Sequence, residues 1–131
     1  MSFDIFISAF ENGGLRRYPR AILEKAFRGF TDMSDPESWR LSNSFATIYI
    51  DADDQVSGFG VNRPPSNDHP FWPALLSVLQ ETSSVLYWPG GGPVVTDQSV
   101  AASIPEKMIE ALGPAKVATS IQDISRFIRE S

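Results

Sequence analysis

The run of residues most suggestive of chemistry is Gly90-Gly91-Gly92, which follows an apolar segment. Consecutive glycines permit positive φ and close backbone approach, as a main-chain N–H cradle for phosphate or an oxyanion requires. The run lacks P-loop and dinucleotide-fingerprint spacing, and Pro93 removes one donor. A structural turn, a loop presented to a protein partner and an anion site remain open, and the missing motif favours the turn.

Asp51, Asp53 and Asp54 form the densest acidic cluster of the chain. Carboxylates at this spacing could hold a divalent cation, but Val56 and Asn62 stand where a calcium loop needs Gly and Glu. A solvated hairpin turn is therefore the favoured interpretation. An acidic edge for a basic partner comes second, and a metal site comes third.

His69 is the single histidine and the one candidate imidazole base. A general base needs a nucleophile and an orienting acid, and no recognisable motif supplies either. Its place between Asp68 and Pro70, at the start of a predicted helix, indicates a surface or cap-neighbouring histidine.

A local basic patch precedes residue 30 in an otherwise acidic chain. A solvated helix face is the usual explanation for such a run, and weak RNA contact or self-association with the acidic residues 32–37 or 51–54 are the alternatives. Arg17, and Arg63 further along, are the candidate anion partners for the glycine loop. The patch consists of Arg16, Arg17, Arg20, Lys25 and Arg28.

Tyr87 and Trp88 lie beside the glycines on a predicted strand. Because side chains alternate across a strand, one of the two is expected to face outward. An exposed aromatic next to a glycine loop is typical of a binding hot spot, so both residues join the loop as candidate partner-binding residues.

Periodicity assigns the elements that must position these residues. Strands are predicted at residues 3–8, 39–41, 45–50, 56–61, 85–88 and 116–119, and helices at residues 19–29, 70–81, 103–112 and 120–128. Ser103 with Glu106 and Ser120 with Asp123 have the spacing of N-terminal caps. Residues 31–38 are predicted to be turn-like, and residues 94–101 are ambiguous. This order predicts one α+β domain over residues 1–131, with a mixed, mostly antiparallel sheet, an N-terminal meander and about four helices.

Composition excludes several classes of function. The 131 residues carry 11 Lys and Arg against 16 Asp and Glu, a net charge of −5 that argues against binding nucleic acid or an anionic membrane. The absence of cysteine removes disulfides, thiolate catalysis and zinc–thiolate sites. No cofactor or metal is expected. The first seven residues do not indicate a signal peptide, and a cytoplasmic location is therefore predicted.

Three segments carry a resemblance. Residues 3–6 (Phe-Asp-Ile-Phe), 58–64 (Gly-Phe-Gly-Val-Asn-Arg-Pro) and 86–93 (Leu-Tyr-Trp-Pro-Gly-Gly-Gly-Pro) resemble a family of small bacterial proteins over nearly the whole chain. That family has no assigned activity, so the resemblance implies no catalytic residue. In size, acidity and lack of cysteine, the chain is also similar to bacterial toxin-immunity proteins, including those of contact-dependent inhibition systems.

The leading hypothesis is a non-enzymatic protein-binding domain, such as an immunity protein that binds a basic toxin domain. Acidic residues such as Asp51, Asp53 and Asp54 would speed the encounter, and Tyr87, Trp88 and the glycine loop would supply affinity. The alternatives are an anion- or phosphate-binding protein or enzyme that uses the glycine loop with Arg17 or Arg63, and a homo-oligomeric subunit, for instance a homodimer.

Overall fold

The computed structural model describes residues 3–131, in which one large sheet and a two-stranded ribbon pack with helices. The strands are β1 (Asp4–Glu11), β2 (Gly14–Leu15), β3 (Tyr18–Pro19), β4 (Thr31–Asp35), β5 (Ser38–Leu41), β6 (Thr47–Tyr49), β7 (Gln55–Val56), β8 (Gly58–Asn62), β9 (Ser84–Trp88), β10 (Gly91–Val95) and β11 (Lys116–Val117). The helices are α1 (Ala21–Phe27), α2 (Phe71–Thr82), α3 (Gln98–Ala101), α4 (Glu106–Leu112) and α5 (Ile121–Glu130), and Arg28–Phe30 form a 3-10 turn after α1.

The main sheet has the order β11-β10-β9-β1-β8-β6-β5-β4, with β2 paired to β1, while β3 and β7 form the ribbon. The β10–β11 pair is parallel, whereas β9 and β10 pair antiparallel because the short turn between them permits only an antiparallel return. The predicted meander is confirmed by the β5–β6–β8 pairings. The α+β class with a mixed, mostly antiparallel sheet is therefore confirmed, and residues 3–131 contain five helices where about four were expected.

The two faces of β1 pack against different helices. Ile5, Ile7 and Ala9 alternate along one face and join a core that includes the apolar sides of α1, α2 and α5. Phe10 points to the opposite face and joins a smaller cluster of Val85, Val95, Val100 and Ile104, packed beneath α3 and α4. Helices thus cover both faces of the sheet at its β9–β10 end.

The local sequence patterns predicted most of the helices, but they placed the N-terminal cap of one helix at the wrong residue. The Ser120 hydroxyl accepts from the Asp123 N–H at 3.2 Å, so the predicted cap of the last helix is confirmed. The expected cap at Ser103 is wrong, because Pro105 occupies the N-cap position of α4, which begins at Glu106. Proline is tolerated there because the first helical residues need no N–H partner within the helix.

The turn-like prediction for residues 31–38 is wrong for its first part, where β4 forms the sheet edge against β5. Its Thr-Asp-Met-Ser-Asp sequence is mostly polar, as an edge strand permits, and Met33 alone of its residues is apolar and packs against the core. The ambiguous residues 94–101 divide between the end of β10 and α3. No helix within residues 3–131 is long and apolar enough to cross a membrane, and the expectation of no signal peptide also covers Met1 and Ser2, which lie outside the described residues.

Candidate functional site

The glycine run forms part of the tight hairpin that joins β9 to β10. Gly90 lies in the turn with φ 82°, whereas Gly91 and Gly92 are buried within β10. A Cβ at Gly91 would overlap the Trp88 indole, and Gly92 has φ 86°, a conformation that side chains rarely adopt. Hairpin geometry therefore accounts for the glycines, in agreement with the favoured interpretation of a structural turn.

Tyr87 and Trp88 point to opposite faces of β9, as alternation predicts. Trp88 is 3% exposed, and its indole N–H donates to the Ser131 hydroxyl at 3.1 Å. Tyr87 is half-buried, its ring stacks on Phe6 at 5.7 Å between centroids, and its hydroxyl lies 3.0 Å from that of Ser8. Tyr87 is therefore the more accessible residue, and the expectation of an exposed aromatic applies to it and not to Trp88.

Arg20 is buried, which corrects its assignment to a solvated helix face. Its side chain is 9% exposed, and its guanidinium lies 5.2 Å from the centre of the Trp39 ring. The guanidinium donates to the carbonyl oxygens of Pro36 and, at 3.0 Å, of Asp51. The Arg20 backbone N–H also donates to the Asp54 carbonyl at 2.8 Å. One buried cation thus fixes the backbones of two distant loops beside the start of α1.

The loops that Arg20 holds present carboxylates to solvent. Glu24 lies 3.6 Å from the Arg20 guanidinium and is 38% exposed. Arg20 lines a concavity together with Glu24 and Asp54, and a second concavity is lined by Glu37, Asp51 and Tyr49. We call this region the acidic surface, and it comprises Glu24, Asp35, Glu37, Tyr49, Asp51, Asp53 and Asp54. The predicted acidic cluster and most of the acidic run 32–37 therefore meet in one place.

His69 is a cap neighbour, as one of the two sequence interpretations stated, but it is buried and not on the surface. Its Nδ1 accepts the Phe71 backbone N–H at 3.0 Å, at the start of α2. Because Nδ1 accepts, the proton resides on Nε2, which donates to the Ser42 carbonyl at 2.7 Å. Both ring nitrogens are thus occupied by backbone groups, so His69 positions a loop and is not poised as a base.

A second concavity opens where His69 holds the β5–β6 loop. It has a volume of about 440 Å³. We call it the aromatic cleft, and it is lined by Phe3, Asn43, Ser44, Phe45, Arg63, Pro64, Pro65 and Ser66. Phe45 is 88% exposed and Phe3 is 37% exposed, so both rings present apolar surface to solvent.

Strand register shows that the acidic surface and the aromatic cleft lie at opposite ends of the sheet. Asp4 pairs with Asn62, which places Arg63 beside the start of β1. The β9–β10 turn lies at this same end, since Phe6 pairs with Tyr87. Ser8, near the other end of β1, pairs with Gly58. The acidic loop that follows Tyr49 lies at this other end. The predicted acidic and glycine-loop residues are therefore not brought together.

The two candidate anion partners are separated in the same way. Arg17 follows Arg16, whose backbone N–H donates to Ala9 near the end of β1, so Arg17 lies at the opposite end from Arg63. Arg63 itself is separated from the β9–β10 turn by β1, roughly 10 Å at the usual strand spacing. The glycine hairpin and the two arginines thus form no common anion site.

Of the other residues of the basic patch, Arg16 is half-buried and the rest are exposed. Arg16 donates to the Thr82 carbonyl at the end of α2, where a cation also complements the helix dipole. Arg17, Lys25 and Arg28 are exposed and fit the solvated-face interpretation. Arg16 and Arg20 therefore bond to backbone carbonyls, and the predicted basic patch is not one continuous exposed surface.

Sequence reasoning missed Phe45 and Tyr49 as functional candidates. Tyr49 is 53% exposed, while Ala46, Ile48 and Ile50 are buried. This strict alternation over residues 45–50 is visible in the sequence and places Phe45 and Tyr49 on the outward side. The alternation identifies Phe45 and Tyr49 from the sequence alone, although aromatic residues on strands are more often buried in the core.

Hydrogen bonds stabilise several exposed carboxylates in their charged form. Bonds from Ser34 lower the pKa of Asp32, and bonds from Thr119 lower the pKa of Asp123. Burial raises the pKa of the Tyr18 phenol well above its ordinary value. None of these groups lines the aromatic cleft.

Among the residues that the structure places, no group of three or more histidine, cysteine or acidic side chains is arranged to hold a metal ion. The third interpretation of Asp51, Asp53 and Asp54 therefore gains no support. No protein-family model, curated protein or solved structure matches the chain. The resemblance to a small bacterial family and to immunity proteins stays a prediction.

Proposed function

We propose that the chain is a non-enzymatic protein-binding domain that binds a basic protein through the acidic surface. Its most specific form is an immunity protein that neutralises a basic toxin domain by direct binding. The observation that supports this proposal is the burial of Arg20 beneath loops whose carboxylates face solvent. A buried cation there lowers the repulsion among neighbouring carboxylates and fixes the loops before a partner arrives.

The acidic surface also has an aromatic anchor. Tyr49 is 53% exposed and lines the same concavity as Glu37 and Asp51. Exposed carboxylates speed association with a basic partner, whereas a central tyrosine supplies affinity once water is displaced. In this proposal Tyr49 takes the anchor role that the sequence suggested for Tyr87 and Trp88.

The test is capture of partners from the native host by three tagged forms of the full chain. The first is the natural chain, and the second carries Asp51→Asn, Asp53→Asn and Asp54→Asn. The third is a charge-matched control that carries Glu81→Gln, Glu106→Gln and Glu110→Gln, at exposed positions on α2 and α4. Both variants change the net charge by the same amount.

The expected result is one stoichiometric, basic protein that the natural chain and the control capture and the acidic-surface variant loses. With the purified partner, the acidic-surface variant should associate more slowly, with a flatter salt dependence than the control. A partner retained equally by both variants would remove the acidic surface from the proposal. Failure to capture any protein would remove the protein-binding function itself.

A further inference from the structure

The aromatic cleft has a composition that differs from the rest of this acidic chain. Its lining side chains, all within residues 3–131, include the cation Arg63 and no carboxylate, although the net charge of the whole chain is −5. Phe3, Phe45 and Pro64 supply apolar walls. A site with flat apolar walls and one planar cation is complementary to an aromatic ring that carries a negative group.

The walls of the cleft are held in place by two side chains at the start of α2, His69 just before the helix and Trp72 in its first turn. His69 donates to the Ser42 carbonyl, which positions the loop that carries Asn43 and Phe45. The Trp72 indole N–H contacts the carbonyl oxygens of Pro65 and Ser66 at 3.2 and 3.0 Å, which positions the opposite wall. Both walls are therefore anchored by residues 69–72, at the start of α2, so hydrogen bonds hold the opening before any ligand enters.

The polar groups of the cleft point to an anion. Arg63 has φ 53° and Asn43 has φ 55°, both in the left-handed region that non-glycine residues occupy rarely. Such conformations cluster at ligand sites, where the surroundings hold them. The Ser66 hydroxyl donates to Asp68 at 2.7 Å, and the Ser44 hydroxyl accepts the Ala46 backbone N–H, which leaves the Arg63 guanidinium, the Asn43 amide and the Ser44 O–H as the side-chain donors for a ligand.

From these observations we propose that the aromatic cleft binds a small aryl anion, a single aromatic ring bearing a carboxylate or phosphate. The ring packs against Phe45, Phe3 and Pro64, and the Arg63 guanidinium binds the anionic group through two parallel hydrogen bonds. The volume of about 440 Å³ suits a molecule of this size. This site lies at the opposite end of the sheet from the acidic surface and does not depend on the proposed function.

The probe is phenyl phosphate, followed by amide and arginine side-chain NMR resonances of the full chain. Inorganic phosphate, which lacks the ring, and phenol, which lacks the charge, are the matched comparisons. Phenyl phosphate should shift resonances of Phe45 and Arg63 in a saturable manner, and each comparison should bind at least about tenfold more weakly. Equal binding of phosphate or phenol would overturn the proposal, as would no saturable shift with phenyl phosphate.

Two variants assign the binding to the cleft. Phe45→Ser removes a ring that is already 88% exposed and should leave the fold intact. Arg63→Lys keeps the charge but loses the planar fork, so it should retain part of the binding that Arg63→Gln loses. Arg17→Gln, at the other end of the sheet, is the control and should bind like the natural chain. Unchanged affinity in Phe45→Ser or Arg63→Gln would place the ligand elsewhere and overturn the proposal.

Discussion

At the acidic surface an arginine is buried and carboxylates face solvent, whereas at the aromatic cleft a neutral histidine is buried and an arginine faces solvent. Arg20 and His69 nevertheless have the same structural role, since each donates to a backbone carbonyl in a loop that is distant in sequence. One fold thereby presents opposite charges at the two ends of its sheet.

The difference shows that the side chains that anchor the loops are separate from the side chains that the loops expose to solvent. Arg20 bonds to the carbonyls of Pro36 and Asp51, and His69 bonds to that of Ser42. Because every residue has a backbone carbonyl, these bonds do not depend on which side chains the loops carry. The side chains of the loops are therefore available for a partner or ligand. Substituting an anchor should therefore cost stability, and substituting a surface residue should cost binding.

The largest effect is expected for Arg20→Met. Loss of the guanidinium leaves the Pro36 and Asp51 carbonyls without this donor and uncovers the Trp39 ring. Hydrogen bonds to charged groups contribute about 1.5–3 kcal/mol, so the free energy of unfolding should fall by about 3 kcal/mol. Urea denaturation measures this change, and Arg17→Met, at an exposed position, should stay within about 0.5 kcal/mol of the natural chain. If both variants unfold alike, Arg20 is not the anchor of the acidic surface.

A smaller effect is expected for His69→Ala, because both lost bonds come from a neutral group. The change removes the acceptor for the Phe71 N–H and the donor to Ser42, and should cost about 2 kcal/mol by urea denaturation. His69→Asn retains a local acceptor for a backbone N–H two residues on but does not reach Ser42, so about half of the loss should be recovered. Equal stabilities of the Ala and Asn variants would show that the Phe71 bond contributes nothing.

The smallest effect at neutral pH is expected for Tyr18→Phe. The Tyr18 hydroxyl is buried without a hydrogen-bond partner among the described residues, so its removal should change stability by less than about 0.5 kcal/mol, or increase it.

Alkaline pH should amplify that effect. Burial raises the folded-state pKa of Tyr18 above its ordinary value of 10.0. The free energy of unfolding is therefore unaffected by this group below pH 10, and it falls as the pH rises further, because the unfolded state loses the phenol proton first. Tyr18→Phe should reduce this alkaline loss in urea midpoints measured from neutral to alkaline pH. Tyr49→Phe, at a position that is 53% exposed, is the control and should show the same alkaline loss as the natural chain.

The sequence predicted the fold class because its main signals are local. Ile121, Ile124 and Ile128 repeat at helical spacing with a Ser120 cap, and the structure has α5 there. Residues 31–35 escaped prediction because β4 depends on backbone pairing with β5, which leaves little trace in side-chain pattern. A strand that forms mainly through backbone pairing with its neighbour can therefore be identified only when that pairing is known.

The candidate sites were harder to predict for a related reason. Arg20 and His69 have polar side chains that are usually exposed, and their burial depends on Pro36, Asp51 and Ser42, which are close only after folding. The outward side of residues 45–50 was open to prediction, because Phe45 and Tyr49 alternate with buried residues. Local alternation therefore identifies exposed aromatics, whereas buried polar anchors require the tertiary fold.

The position of β1 in the sheet has a consequence for how the chain reaches its native state. β1 lies between β8 and β9, and pairs Asp4 with Asn62 and Phe6 with Tyr87. During synthesis, the apolar residues Ile5 and Ile7 therefore emerge long before either neighbouring strand exists. Contacts of such high sequence separation slow folding and leave an unpaired strand exposed to aggregation. We expect β1 to be the segment most dependent on chaperone protection in the nascent chain.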